Sequence, residues 1–179
     1  MVEIKSLTFG FDKPIFENFS YRFPEKGIVA LTGSSGVGKT TLLRIISGLI
    51  KTDAVKKDGS VSFLFQDNRL LPWLTAYENI SLLSENSDPH ELLSRVGLLE
   101  YKNFYPAQLS GGMQRRVAFS AVLAANASVI LLDEPTANLD KENAEIIREL
   151  IKEAAKTALI IIASHVTEDV ALADEVIKI

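Results

Sequence analysis

Apolar and polar residues alternate over 2–9 and again over 16–23, with Gly10 and Pro14 bounding the stretch between them. That pattern predicts an antiparallel strand pair joined by a turn. Later runs are apolar without alternation: 28–31 (Ile-Val-Ala-Leu), 129–132 (Val-Ile-Leu-Leu) and 158–163 (Ala-Leu-Ile-Ile-Ile-Ala). Such runs fit strands buried on both faces of a parallel sheet. Residues 61–65 read as another strand and 176–179 as a short last one. Helical spacing separates them. Leu42, Leu43, Ile45 and Ile46 give the segment after residue 40 an apolar side, and Ile147, Leu150, Ile151 and Ala154 form a stripe within 141–156. Strands alternating with helices predict an α/β domain whose sheet is mostly parallel.

One stretch breaks this rhythm. Residues 52–59 are polar and end in Asp58-Gly59, a turn signal. After residue 67 comes the cluster Leu70-Leu71-Pro72-Trp73-Leu74, which holds the only tryptophan. Asp88-Pro89 then supplies a capping side chain with Pro in the first turn, and Leu92, Leu93, Val96 and Leu99 follow as an apolar face. Residues 68–110 therefore read as a small helical subdomain inserted into the sheet domain. Trp73 is either core or part of an exposed docking patch, and His90 reads as solvated helix surface. A further helix runs from Ser110 to about residue 126.

Composition narrows the classes. A chain of 179 residues suits one domain, 1–179, able to bury about 70% of the surface exposed on unfolding. Hydrophobic content of 47% and charged content of 23% are those of a folded soluble protein. The net charge is −4 without a basic block, so no nucleic-acid partner is expected. The absence of cysteine excludes disulfides and thiol chemistry. No signal-peptide pattern opens the chain, and no run reaches the ~18 apolar residues of a membrane span. The nearest, 117–132, is broken by Ser120, Asn126 and Ser128. If a membrane matters, another polypeptide supplies it.

The candidate chemistry sits where the strands end. Gly33-Ser34-Ser35-Gly36-Val37-Gly38-Lys39-Thr40-Thr41 follows the run 28–31 and opens a helix, the context a P-loop needs. Glycines let backbone N–H groups close around phosphate oxygens at the helix N-terminus. Lys39 is expected on the β- and γ-phosphates, Thr40 on Mg²⁺, and Thr41 near the α-phosphate. The run 129–132 stops abruptly at Asp133-Glu134: Asp133 suits the Mg²⁺ shell, and Glu134 can orient and deprotonate a water attacking the γ-phosphate. Gln66 ends the strand 61–65, and His165 follows the strand 158–163, both where ligands bind in open α/β sheets. Gln66 is either a cap or a ligand contact. Ser110-Gly111-Gly112-Met113-Gln114 starts a helix with an N-cap and room for an anion. Asp140, after Asn138-Leu139, can be the N-cap of the helix at 141–156. Phe11 lies where an aromatic face can stack on a nucleobase, with Phe9 as the rival.

In this order, the set resembles the nucleotide-binding domain of ATP-binding-cassette (ABC) proteins. Residues 33–41 look like the Walker A loop, Gln66 the Q-loop glutamine, 109–114 the signature, 129–134 Walker B, 137–140 the D-loop, and His165 the switch histidine. The resemblance covers nearly the whole chain and implies a P-loop NTPase core, a reduced N-terminal antiparallel β-subdomain and the helical insertion. It implies ATP and Mg²⁺ as ligands and a second ABC ATPase domain, the same or different, as partner. Ser110, Gly111, Gly112 and Gln114 would act on the partner's ATP, with Asn138 and Asp140 at the dimer contact. Gln66 would meet Mg²⁺ or the attacking water, and His165 would steady the γ-phosphate.

The wording of residues 66–80 is similar to importer ATPases of the nitrate, sulfonate and taurine type, where this region meets a cytoplasmic helix of the membrane subunit. That implies an integral permease partner and a cytoplasmic, peripheral position on the inner face of the membrane. Three departures stand out: a short connection before Gln66, Ala121 where an arginine is common, and a chain that stops soon after His165. The competing readings are a soluble ABC ATPase of DNA repair, chromosome organisation or translation, and a nucleotide-gated regulatory module that hydrolyses little. Against the first, the chain carries neither a long insertion nor a second cassette. Against the second, Glu134 and His165 are intact.

Overall fold

A computed structural model describes residues 1–10, 13–84 and 87–179. Its central sheet comprises β3 (Gly27–Thr32), β5 (Val61–Leu64), β6 (Val129–Asp133), β7 (Leu159–Ala163) and β8 (Glu175–Lys178). They lie in the order β5-β6-β7-β3-β8, and every pairing is parallel. The register sets Leu31 beside Ala163 and Asp133 beside Ala163, so three strands end at one level. Their carboxyl ends form one rim, the place where an open α/β sheet binds ligands.

The buried strands sort their side chains by the two-residue period. Val129, Leu131, Leu159 and Ile161 face α1 (Lys39–Ser47), whose Leu42, Leu43, Ile45 and Ile46 are buried with them. Ile130, Leu132, Ile160 and Ile162 face the other way. They pack with Phe119 of α4 (Gly111–Ala124) and with Ile147 and Ile151 of α5 (Lys141–Ala154). Each fully buried side chain of this size contributes about 1.5–3 kcal/mol relative to exposure.

A second sheet, β2-β1-β4, is antiparallel, with β1 (Val2–Gly10), β2 (Pro14–Arg22) and β4 (Val55–Lys57). Val2, Ile4, Leu7 and Phe16 from it cover the α1 side of the core. The strand pair expected at the N-terminus is present. β4 was not expected, because the sequence around it is polar. Lys57 of β4 explains part of its placement: its ammonium donates to the Ile46 and Ser47 carbonyls at the end of α1, at 3.0 and 2.5 Å. A cation there satisfies carbonyls that the helix leaves open.

Within 68–110, α2 (Ala76–Ser81) and α3 (Pro89–Arg95) pack on α4. Thr75 and Glu78 form a reciprocal cap at the start of α2. Buried Asn79 ties down the preceding loop: its Oδ1 accepts from the Leu71 N–H at 2.7 Å, and its Nδ2 donates to the Leu71, Leu74 and Thr75 carbonyls. The helix at 89 is shorter than its apolar spacing suggested. Gly97 takes φ 68°, the chain turns, and Leu98 rather than Leu99 enters the core. His90 also departs from expectation. Its ring packs against Tyr77 at a tilt, 4.7 Å between centroids, and its Nε2 is buried with no hydrogen-bond partner among the described residues. Trp73 is 68% exposed, which excludes the core reading for it.

Candidate functional site

The loop 33–38 joins β3 to α1, and its shape depends on backbone that other residues resist. Gly38 has φ 118°, and a Cβ there would lie 2.4 Å from Ile15 Cγ2. Gly33 has φ 143°, and a Cβ there would lie 2.7 Å from the Ile179 carbonyl. α1 begins without a side-chain cap, so its first N–H groups face the loop and are open to an anion.

Around this loop the expected residues converge. Ser35, Gly36, Gly38, Lys39, Thr40, Thr41, Gln66, Asp133, Glu134, Ala137, Asn138 and His165 line one open cleft of about 510 Å³. Gly33, Ser34 and Val37 do not line it. The Lys39 ammonium donates to the Gly33 and Ser34 carbonyls at 2.8 and 2.9 Å and stands 3.3 Å from His165 Nε2. His165 Nε2 also lies 3.6 Å from Glu134 Oε1. A phosphate oxygen can replace His165 as the third partner of the ammonium.

Thr40 Oγ1 donates to Asp133 Oδ2 at 2.8 Å, bringing a hydroxyl and a carboxylate together from two elements. Burial raises the Asp133 carboxyl above its ordinary range; the Thr40 hydrogen bond opposes this, the Glu134 charge adds to it, and Arg115 and Arg44 oppose it. A buried carboxylate in that condition favours a nearby cation. Mg²⁺ typically takes one or two protein oxygens and completes its shell with water and phosphate. The Thr40–Asp133 pair fits that donor set. No group of three or more metal-ligating His, Cys, Asp or Glu occurs among the described residues.

Glu134 adopts φ 51°, a left-handed conformation costing roughly 1–2 kcal/mol for a non-glycine residue. Its N–H still donates to the Ala163 carbonyl at 2.8 Å, so the ladder continues while the side chain swings toward the cleft. Glu134 Oε2 accepts from the His165 N–H at 3.3 Å and lies 3.3 Å from Ser164 Oγ, whose one proton goes to the nearer Asp169 Oδ2 at 3.0 Å. Asn138, also on the cleft, has φ 61°.

Other expected residues lie elsewhere. Ser110 caps α4 by accepting from the Met113 N–H at 3.2 Å. Ser110, Gly111 and Gly112 do not line the phosphate cleft of their own chain. Gln114 is turned inward: its Nε2 donates to the Pro106 and Leu109 carbonyls at 2.9 and 3.2 Å. Asp140 caps α5, and hydrogen bonds from the Asn143 backbone and side chain hold its carboxyl below the usual range. Phe11 lies outside the described residues.

Sequence reasoning missed two buried polar hubs beside the cleft. Arg115 is 3% exposed and donates to main-chain carbonyls at the ends of β5 and β6. Burial pushes its guanidinium down to about 10 against the opposing charges of Asp133, Glu134 and Asp67. The available signal was its spacing: Arg115, Phe119 and Val122 share one buried helix face. The second hub is Asp169, fully buried, which accepts from Thr136, Arg148 and Ser164. Nothing in its acidic surroundings marked it out.

A glycine loop on a helix N-terminus, with a lysine, a Thr–Asp pair and a glutamate at the sheet rim, defines a P-loop nucleotide-binding protein. Comparison sharpens this. The ABC transporter family model matches residues 16–137, and the chain belongs to that family. An aliphatic sulfonates import ATP-binding protein, SsuB 1 of Paracoccus denitrificans, is 36% identical over 96% of this chain and 75% of its own length. SsuB 2 of Rhodococcus jostii, of the same description, is 38% identical over 98% of this chain and 77% of its own. Among solved structures, a post-hydrolysis dimer of the ATP-binding cassette MJ0796 bound to ADP and Pi has a TM-score of 0.90 at 28% identity. That match spans 100% of this chain and 94% of the other. The fold is that of an ATP-binding cassette.

Proposed function

We propose that this chain is the ATP-hydrolysing subunit of an ABC importer, pairing with a second ATPase domain and driving a separate membrane permease. The observation that carries the reading is the convergence of Lys39, the Thr40–Asp133 pair and Glu134 on one cleft at the sheet rim. Relatives of 36–38% identity described as import ATP-binding proteins support the importer assignment.

In this mechanism the loop N–H groups and Lys39 receive the β- and γ-phosphates, and Thr41 sits by the α-phosphate. Thr40 and Asp133, with Gln66 at the rim, would hold Mg²⁺, which when bound neutralises phosphate charge. Glu134 takes a proton from the attacking water as the new P–O bond forms and the bond to the ADP oxygen breaks. His165, released from Lys39, donates an Nε2–H to a γ-phosphate oxygen.

Ser110, Gly111 and Gly112 face a second domain's nucleotide. A Cβ at Gly111 would meet nothing within 4 Å, and its φ is not left-handed, so nothing inside this chain requires glycine there. Close approach from outside the chain would. The MJ0796 dimer bound to ADP and Pi supports pairing of this kind. Asn138, on the cleft beside Ala137, and Asp140 would lie at that contact.

For the permease, exposed Trp73 and a neighbouring apolar groove offer a docking surface. Phe63, Phe65, Leu70, Leu82 and Leu83 line it, with Ala121 at its floor. A short cytoplasmic helix of the membrane subunit fits there by its apolar face. The chain would then be peripheral on the inner face of the membrane; no helix of the described residues is long and apolar enough to cross it. These surfaces speak to docking more than to cargo.

Glu134→Gln tests the reading. It should bind ATP as the unaltered protein does, lose at least about a hundredfold in turnover, and shift to dimer in ATP by sedimentation. Hydrolysis at the original rate would remove Glu134 from its role.

A further inference from the structure

Arg115 occupies an unusual place for a cation. It lies in α4, three residues beyond Gly112, yet its side chain leaves the helix and enters the space behind the phosphate cleft. Nη1 donates to the Phe65 carbonyl at 2.5 Å and to the Gln66 carbonyl at 3.2 Å, with Asn68 Oδ1 at 3.4 Å. Nη2 donates to the Asp133 and Glu134 carbonyls at 2.5 and 2.8 Å, and Nε to the Pro135 carbonyl at 3.3 Å. A guanidinium has five N–H donors in a rigid plane, and here every nitrogen is committed to loops at the ends of β5 and β6. None of these acceptors belongs to the phosphate loop.

Resting on the nucleotide chemistry proposed above, we infer that Arg115 is a positioning residue that fixes Gln66 and Glu134 relative to each other and to the helix that begins at Ser110. Held from behind by their own carbonyls, the two residues keep their side chains directed to one cleft. Glu134 needs this most, since its left-handed φ is unfavourable and would relax if its carbonyl were freed. Because the same plank of atoms bridges α4 to both loops, a rotation of α4 cannot occur without displacing Gln66 and Glu134. Events at the Ser110–Gly112 end of α4 are thereby mechanically connected to catalysis in the same chain. Arg115 acts on turnover and leaves nucleotide affinity alone, because Lys39 and the glycine loop are anchored elsewhere.

Arg115→Lys keeps the cation and loses the fork, whereas Arg115→Met keeps bulk and loses all donors. Steady-state ATPase, binding of a fluorescent ATP analogue and thermal melting are measured on each, below the lowest melting temperature. Turnover should fall roughly ten- to a hundredfold, the range expected when charge-assisted hydrogen bonds are lost, with analogue affinity within about twofold. Adding Gln66→Ala to Arg115→Lys should cost less than it does in the unaltered protein. A readout independent of hydrolysis accompanies these: amide exchange in Arg115→Lys should quicken at 65–68 and 133–137 and stay unchanged at 33–41. Should Arg115→Met fail to fold, Arg115→Lys decides. Lower melting with unchanged turnover and exchange would make Arg115 merely structural and overturn the inference, as would equal losses in affinity and turnover. An unaltered protein that hydrolyses no ATP would instead defeat the proposed function, while the exchange experiment still decided the role of Arg115.

Discussion

Asp169→Ala isolates the second buried hub. Asp169 Oδ1 accepts from Arg148 Nε at 2.9 Å, and Oδ2 accepts from Thr136 Oγ1 at 2.7 Å and Ser164 Oγ at 3.0 Å. Burial alone would lower the Arg148 pKa; hydrogen bonds and charge from Asp169 and Glu145 more than reverse that and hold it above its ordinary value. Truncation leaves the Arg148 side chain, 8% exposed, with only the largely exposed Glu145 at 3.2 Å. Breaking one side of a buried pair costs about 3–5 kcal/mol, and the remaining Glu145 contact argues for the lower end. At this chain length 1 kcal/mol moves the melting temperature by about 2–4 °C, so a fall of roughly 6–12 °C is expected. Arg148→Met together with Asp169→Ala should recover at least about half of it, since an apolar replacement removes the stranded charge. Thermal unfolding followed by circular dichroism measures both. A single-variant shift below about 3 °C, or a double variant no more stable than the single, would refute the reasoning.

Two further outcomes follow from the same geometry. Lys39→Ala removes the ammonium that faces the phosphates and should weaken ATP binding at least about tenfold by calorimetry, the loss of a charge-assisted hydrogen bond; unchanged affinity would count against the P-loop assignment. Tyr21 donates its hydroxyl to Glu175, linking β2 to β8, and burial followed by that hydrogen bond and charge pushes its pKa up to about 12. A raised phenol favours the neutral form in the folded state, so its stabilisation is whole below the unfolded value near 10 and is lost as pH rises through 12. Urea midpoints of Tyr21→Phe and the unaltered protein should therefore converge between pH 10 and pH 12, and a constant gap would disprove the linkage.

The parts of the molecule legible in its sequence are those decided within a few residues. The strand–loop–helix at 28–46 announces itself because glycine spacing, a preceding apolar run and a following helical stripe all fall inside one window. The strands β6 and β7 are equally plain, since burial on both faces writes an uninterrupted apolar run. Trp73 was undecidable because exposure depends on what α2 and α4 leave uncovered, and periodicity says nothing of that. His90 was misread for a similar reason: its helix face looks outward until Tyr77 of another helix lies across it. β4 is only three residues, Val55-Lys56-Lys57, in a mostly polar stretch, and its strand character comes from pairing with β1.

The hubs were hidden more deeply, and the reason connects them to the chemistry. Arg115 binds the carbonyls of Phe65 and Gln66, about fifty positions away, and any residue types at those positions would offer the same carbonyls. A sequence advertises side chains, whereas Arg115 recognises main chain. Yet the visible motif depends on the hidden contact: Glu134 reads as a base because it follows an apolar strand, but it faces the cleft only with φ at 51°. That strain is opposed at the Glu134 N–H by Ala163 and at its carbonyl by Arg115, both buried and both distant in sequence. Identity at the rim of this sheet is therefore local, and aim is not. Two chains with the same glycine loop and the same Asp-Glu pair can differ in turnover through residues that never touch the nucleotide.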